Sequence, residues 1–447
     1  MMFTREELIA ATGAVVLKNE STAKQNFSIS TDTRTIVNSD IYLPLKGETF
    51  DGEKFIAKAL DAGAKAYFTT GDEVFEGAEF VLKVSNTLDA YLNIAKYYRH
   101  KKNPRTVQIT GSSGKTTTKE IVYSVLSQKF KTAKTFSNHN NEIGFCQTVL
   151  GMEEGTEVLI VESGMRGLGE IELISTHLEP DFAIITNSGS AHVGRLGSLD
   201  NIAVAKCEIT AGLSPKGVFI SKDQDIIKKH VKFDGEKIYY SLNDVKIIAK
   251  APSYSEFKYK NEVYKLNVEG EYNIENSLAA IELGLKLGMS ADEIRAGLLS
   301  YRPIEKRWEL EEIKGFKFIN DSYNANPESM KASVKTFIEL YENPVVVLGD
   351  MGELGENELE YHKQVGRFLA GLNNKKVKYI TVGKLAAGIA QELTAQGFEV
   401  ECLNSTNEAS CYILENLNNS YTIFLKASRS MKFEGILEDV KRGICKL

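Results

Sequence analysis

The chain has 447 residues, with 54 Lys and Arg against 60 Asp and Glu, for a formal net charge of −6. At 43% hydrophobic content this length suits about three separately packed domains, and no basic stripe or Lys/Arg block offers a general nucleic-acid surface. No run approaches the ~20 apolar residues of a membrane helix, and the opening MMFTREELIAATG is acidic without a long apolar core, so neither a signal peptide nor membrane insertion is expected.

The first ~100 residues mix short strands and helices. Phe55 to Thr70 reads as an amphipathic helix, a Gly break and a strand. KYYRHKKNPR, Lys96 to Arg105, is basic and polar and ends beside a proline, which marks a first boundary. From Thr106 the text changes. TVQIT, EVLIVES, DFAIITN and GVFIS are Val/Ile-rich runs separated by helical lengths. This is the βαβ pattern of a mostly parallel sheet buried on both faces. A second boundary falls in YRPIEKRWEL, Tyr301 to Leu310; FKFINDS, NPVVVLGD, KYITVG and YTIFLKAS then predict a second doubly wound α/β unit. The expected class is α/β in three domains, 1–102, 103–308 and 309–447. Ligands of such sheets sit at the carboxyl ends of strands.

The strongest local signal is ITGSSGKTTTKEIV, Ile109 to Val122. A strand runs into Gly111, Ser112, Ser113, Gly114, Lys115 and Thr116, then a helix. Glycines let backbone N–H groups turn toward phosphate oxygens, and the helix N-terminus adds partial positive charge. Lys115 would neutralise phosphates and the Thr116 hydroxyl would hold Mg²⁺. The full GxxxxGK[ST] pattern is not met, since its first glycine falls on Ile109. The bland alternative is a Gly-Ser turn with a solvated lysine. A phosphate loop specifies a nucleotide, not a reaction.

Glu162 ends EVLIVE beside that strand, a usual place for a magnesium ligand, or else a salt-bridged strand cap. His192 lies in a small-residue loop, SGSAHVGRLGS, at the same sheet edge. Lys206 sits in a helical stretch and by itself reads as a solvated charge. The five cysteines (Cys146, Cys207, Cys402, Cys411, Cys445) are scattered without CxxC spacing, so reduced thiols and no zinc site are expected.

TGSSGKTTTKE, NHNNEIG, ESGMRGLGEIE, ITNSGSAHVGRLGS, GEYNIENSLAA, INDSYNANPESM, VVVLGDMGELG and LKASRSMKFE follow one another along the chain. In that order they resemble the Mur ligase family over essentially the full length. DSYNANPESM, the absence of a DNPR-type motif, and GDMGELG followed by His362 point to the branch that adds D-alanyl-D-alanine to a UDP-N-acetylmuramoyl-tripeptide. STDTRTIVNSDIYLPLKGETFDGEKF fits the same branch. The resemblance implies a UDP-sugar-binding domain, a central ATPase domain and a Rossmann-like C-terminal domain, in a cytoplasmic, monomeric ligase of cell-wall precursor synthesis.

By the same resemblance, Gly111, Ser112, Ser113, Gly114, Lys115, Thr116 and Thr117 hold ATP. Asn273 and Asn276 contact adenine, Asp321 the ribose, and Arg307 the γ-phosphate. Thr116, Glu162, His192 and Lys206, the last as a carbamate, would hold Mg²⁺. Thr31, Asp32, Thr33, Arg34, Lys46 and Gly47 would grip the uridine diphosphate end, with Asn141 also on the substrate side. Tyr323, Asn324, Ala325, Asn326, Lys426, Ser428 and Arg429 would serve the dipeptide, its carboxylate or a phosphate. The stretch SGMRGLGEIE replaces a Gly-Ala-Asn-His type, and AHVGRLGS places Gly194 and Arg195 where an acidic residue is common. The rival readings are a sister ligase adding the third amino acid, a folylpolyglutamate-type ligase, a non-catalytic phosphate-loop module and a kinase.

Overall fold

The computed structural model describes residues 2–20, 26–37, 40–47, 49–304, 306–443 and 445. Among the described residues the strands form three six-stranded sheets and one three-stranded sheet.

The first sheet runs Phe3–Thr4, Asn26–Ser30, Asp40–Tyr42, Ala66–Thr69, Phe80–Lys83, Val15–Asn19 in spatial order. Its four inner strands are parallel and its two edge strands antiparallel. The helix Thr87–Lys102 closes this part, capped at its start by the Asn86 side chain and at its end by Asn103 in the left-handed conformation. Leu92, Ile94 and Ala95 on this helix share one apolar cluster with Phe80 and Leu82 of the first sheet and with Leu159 and Val161 of the next. The helix is therefore packed from both sides.

The second sheet has the order Glu236–Tyr240, Val218–Lys222, Phe182–Ile185, Arg105–Thr110, Val158–Glu162, Thr132–Lys134, all parallel. Val158 and Ile160 face one cluster, with the helices Lys115–Leu126, Glu271–Lys286 and Ala291–Ser300. Leu159 and Val161 face the other. Burial on both sides explains why these strands read as unbroken apolar runs.

An antiparallel sheet over Lys246–Ala251, Tyr254–Tyr259 and Glu262–Leu266 was not foreseen. Phe257, Tyr259, Tyr264 and Leu266 point inward, with charged neighbours between them, and Lys260 and Asn261 make the tight turn at φ 48° and 68°. The alternation is real but short, and the long charged side chains hide it in the sequence.

The last sheet has the order Glu309–Ile313, Phe316–Asn320, Thr422–Lys426, Pro344–Gly349, Lys378–Val382, Val400–Leu403. Only the first of these pairings is antiparallel. One correction concerns the thiols: Cys411 and Cys445 are joined as a disulfide, with Cα atoms 4.9 Å apart, rather than reduced. The helices Thr406–Asn416 and Glu434–Arg442 pack side by side, which returns the chain end to Cys411; proximity of this kind is invisible in spacing.

Gly297 lets the helix Ala291–Ser300 meet Lys115–Leu126, the helix behind the phosphate loop, because a Cβ there would overlap Val125 Cα. Gly297→Ala should destabilise the protein by about 1–3 kcal/mol through overpacking. A lowered thermal midpoint checks this; an unchanged midpoint would mean that the two helices can part freely.

Candidate active site

The strand Arg105–Thr110 ends at Gly111, and the helix Lys115–Leu126 begins four residues later. Gly111 has no room for a side chain, since a Cβ would overlap the Thr186 hydroxyl. Gly114 is left-handed at φ 77°, and a Cβ there would overlap the Asn276 amide. The loop between them is pinned from the neighbouring strand end. The Thr186 hydroxyl donates to Ser113 O at 2.6 Å; Ser113 N donates to Asn187 Oδ1 at 3.0 Å, and Asn187 Nδ2 donates back to Ser113 O at 3.1 Å. Lys115 Nζ donates to Gly111 O at 2.7 Å. Burial pushes its ammonium below the ordinary value, and the Glu162 carboxylate opposes that shift.

Glu162 ends its strand with its side chain 2% exposed. Oε1 accepts from the Thr116 hydroxyl at 3.2 Å and from Asn140 Nδ2 at 3.1 Å. Oε2 is buried without a hydrogen bond, with Lys119 Nζ 3.4 Å away. Lys119 is itself fully buried and donates to Ser137 O at 3.3 Å. Lys119 and Asn140 were not singled out as site residues, although both lie inside motifs that were. In the sequence, Lys119 looks like any helix lysine.

His192 adopts φ 67°, and its Nδ1 lies 2.7 Å from Glu353 Oε2, within ion-pair range although off the line of a hydrogen bond. Contact with His192 is the largest cause holding the Glu353 carboxyl below its ordinary value. Lys206, on the helix Leu199–Cys207, is 1% exposed. Burial pushes its ammonium well below the ordinary value, and the nearby Lys115 charge adds to the shift. The solvated-charge reading of Lys206 is thereby excluded.

The last sheet closes over this edge. Arg307 Nη2 donates to the Thr116 hydroxyl at 3.1 Å, and its guanidinium lies 4.0 Å from the centre of the Tyr323 ring. Asn326 caps the helix Pro327–Leu340 and donates to Ser112 O at 3.4 Å. Glu328 accepts from Ser190 N at 3.0 Å and from its hydroxyl at 2.9 Å. Between the two sheets lies a cavity of about 750 Å³.

The cavity brings together Ser112 to Thr116 of the phosphate loop with Asn141, Glu162, His192, Asn276, Arg307 and Asp321; Tyr323, Asn324, Asn326 and Lys426 also line it. Lys426 is not a free cation, because its Nζ lies 2.6 Å from Asp321 Oδ2. Asn141 caps the helix Glu142–Leu150. Thr117, Lys206, Asn273, Ser428 and Arg429 do not line the cavity. Asn273 Nδ2 turns to Glu269 O at 2.6 Å, the Ser428 hydroxyl accepts from Gly352 N at 2.6 Å, and Arg429 pairs with Glu434 at 2.6 Å. Thr31, Asp32, Thr33, Arg34, Lys46 and Gly47 belong to loops of the first sheet away from this cavity. There Arg34 clamps Asp32 at 2.6 Å and holds its carboxyl down at about 2.

The donors at this edge suit a hard divalent cation. The Glu162 carboxylate and the Thr116 hydroxyl offer hard oxygen donors, with the Lys119 ammonium 3.4 Å from Glu162 Oε2. His192 adds an imidazole on the same cavity wall.

Residues 109–284 match the Mur ligase middle domain, and residues 306–429 match the Mur ligase glutamate ligase domain. The chain is 35% identical to the UDP-N-acetylmuramoyl-tripeptide–D-alanyl-D-alanine ligase of Bacillus subtilis, over 92% of each protein. It is 30% identical to the Escherichia coli enzyme of the same name, over 94% of each. The crystal structure of MurF from Acinetobacter baumannii superposes with a TM-score of 0.90 at 28% identity, covering 99% of both chains. Matched along nine-tenths of its length by such relatives, the chain belongs to the Mur ligase family.

Proposed function

We propose that this chain is an ATP-dependent amide ligase that adds D-alanyl-D-alanine to UDP-N-acetylmuramoyl-tripeptide, in the cytoplasm and as a monomer. The observation that carries the reading is the single cavity in which a phosphate loop, a buried strand-end carboxylate, a bridging arginine and polar residues of a second α/β sheet meet. A nucleotide-binding module has no use for Tyr323, Asn324 and Asn326 on the far wall. The relatives that share the chain's full length carry this ligase name. The grouping of the sheets supports units at 1–102, 103–308 and 309–447 for the UDP-muramoyl substrate, ATP and the dipeptide.

The reaction joins a carboxylate and an amine, which is uphill in water. The tripeptide carboxylate oxygen attacks the γ-phosphorus of ATP, the bond to the β-phosphate oxygen breaks, and ADP leaves. The dipeptide amine then attacks the acyl carbon and phosphate departs, with one proton released overall. Backbone N–H groups where the loop enters the helix, from Gly114 onward, orient the phosphates, and Lys115 exchanges its contact with Gly111 O for a phosphate oxygen. Arg307 reaches the same point from the other sheet and offsets charge developing on the transferred group. Glu162, Thr116 and His192 would hold Mg²⁺, which when bound neutralises phosphate charge. The Asp321–Lys426 pair fixes a carboxylate for the ribose, and Asn276 faces the base. Closure of the last sheet keeps water from the acyl phosphate.

Lys206 takes the carbamate role by family resemblance. Its burial supports this, because burial favours the neutral amine over the ammonium, and a neutral amine is the nucleophile that adds CO₂. The N–C bond forms, the nitrogen releases one proton, and a neutral buried amine becomes an anion beside Lys115.

Three measurements test this reading. Phosphate release that needs both UDP-muramoyl tripeptide and D-alanyl-D-alanine, with a product heavier by the dipeptide less water, is expected; turnover only with a single amino acid would move the chain to a sister branch, and tight ATP binding without turnover would leave a nucleotide module. Arg307→Ala should lower kcat roughly 10²-fold or more while changing the KM for ATP far less; an equal loss in ATP binding would reassign Arg307 to the ground state. With ¹³C-bicarbonate, a carbamate signal should form that Lys206→Arg removes, and its absence from the wild type would end the carbamate assignment.

A further inference from the structure

Outside the phosphate loop, the second and last sheets also meet through two short loops that both depart from ordinary backbone. His192 has φ 67° and Glu353 φ 62°, a left-handed region that non-glycine residues occupy at a cost. Such geometry persists where the surroundings over-determine it, and here each loop is held by the other. Gly194 N donates to Glu353 O at 3.2 Å. A Cβ on Gly194 would overlap Gly355 N, and one on Gly355 would overlap Gly194 Cα, so both glycines are needed for the backbones to touch. Val193, between His192 and Gly194, packs against the apolar clusters of both sheets.

The contact aims a carboxylate at an imidazole. Glu353 Oε2 lies 2.7 Å from His192 Nδ1, and Oε1 lies 3.4 Å from Arg195 Nη2. Nδ1 is buried, so the other ring nitrogen, Nε2, is the one left to meet a ligand of the cavity that His192 lines. A neutral imidazole carries one proton, and the nitrogen that faces a carboxylate keeps it. A carboxylate behind a metal-facing histidine fixes both the tautomer and the ring orientation.

We propose that Glu353 is a positioning residue that docks with the last sheet against His192, holds the proton on Nδ1 and so presents the Nε2 lone pair to the cavity. Resting on the ligase reading for what Nε2 meets, this ties the competence of one metal-facing side chain to the meeting of two sheets. Gly194 and Arg195, which depart from the acidic residue common in the family at this place, are then the docking surface: the glycine admits the loop and the arginine steadies the carboxylate.

The test uses the full chain labelled with [¹⁵N]histidine at pH 8, above the ordinary imidazole range, with His192→Gln to assign the signal. Long-range ¹H–¹⁵N correlations should show His192 protonated on Nδ1 in the wild type and in Glu353→Gln, whose amide oxygen still accepts. Glu353→Ala should shift the ring toward the Nε2-protonated form. Mn²⁺ titrated by electron paramagnetic resonance, with a non-hydrolysable ATP analogue present, should bind roughly ten- to a hundredfold more weakly to Glu353→Ala, with Glu353→Gln near the wild type. Gly194→Val, which separates the loops without touching the carboxylate, should reproduce the alanine result. A wild-type tautomer or an unchanged Mn²⁺ affinity in Glu353→Ala overturns the proposal. If the ligase assay fails while the tautomer still follows Glu353, the reaction assignment falls and the positioning role stands.

Discussion

Burying the Glu162 carboxylate at the end of a strand that is apolar on both faces carries a desolvation cost of several kcal/mol unless the charge is met. Its partners arrive from separate stretches of chain. Thr116 and Lys119 come from the helix after the phosphate loop, and Asn140 from the loop before the helix Glu142–Leu150. Satisfying one charge thus fixes the phosphate loop relative to the substrate-side loop. Oε2, the oxygen without a hydrogen bond, is met by the buried Lys119 ammonium at 3.4 Å.

The same economy of space governs the approach of the two halves. Gly111 and Gly114 keep the phosphate loop thin enough for Thr186 and Asn276 to sit against it. Polar groups of the last sheet then reach elements of the second: Arg307 to Thr116, Asn326 to Ser112 O, Glu328 to Ser190. None of these is a large apolar contact, and interfaces of that kind permit relative motion. Aromatic packing is confined to one side, where Trp308 lies between Tyr272 and Phe424.

Much of this was legible in the sequence because parallel strands buried on both faces announce themselves as Val/Ile runs, and their carboxyl ends carry the chemistry. The phosphate loop and Glu162 lie at such strand ends, whereas Arg307, which the family resemblance pointed to, precedes the strand Glu309–Ile313. What escaped was set by tertiary contact. Lys426 reads as an available cation but is paired with Asp321. Asn273 and Asn276, three residues apart on one helix, look equivalent; one turns to a backbone oxygen and the other to the cavity. Glu353, in a loop of the last sheet, is 161 positions from His192 in numbering and 2.7 Å away in space. The Cys411–Cys445 pairing depends likewise on how two helices pack.

Lys206 shows most clearly how burial changes what a residue type means. A lysine on a helix is ordinarily a solvated charge, and its sequence surroundings say nothing else. In the fold it is 1% exposed, and the charge that adds most to the effect of burial is the cation of Lys115. Two ammonium groups in a dry site are mutually unfavourable, which favours the neutral amine, a nucleophile, over the ammonium. N-carboxylation, as proposed for this residue, would go one step further, because it would replace like-charge repulsion by attraction. The arrangement that makes a lysine a poor cation here is what makes a carbamate a good anion.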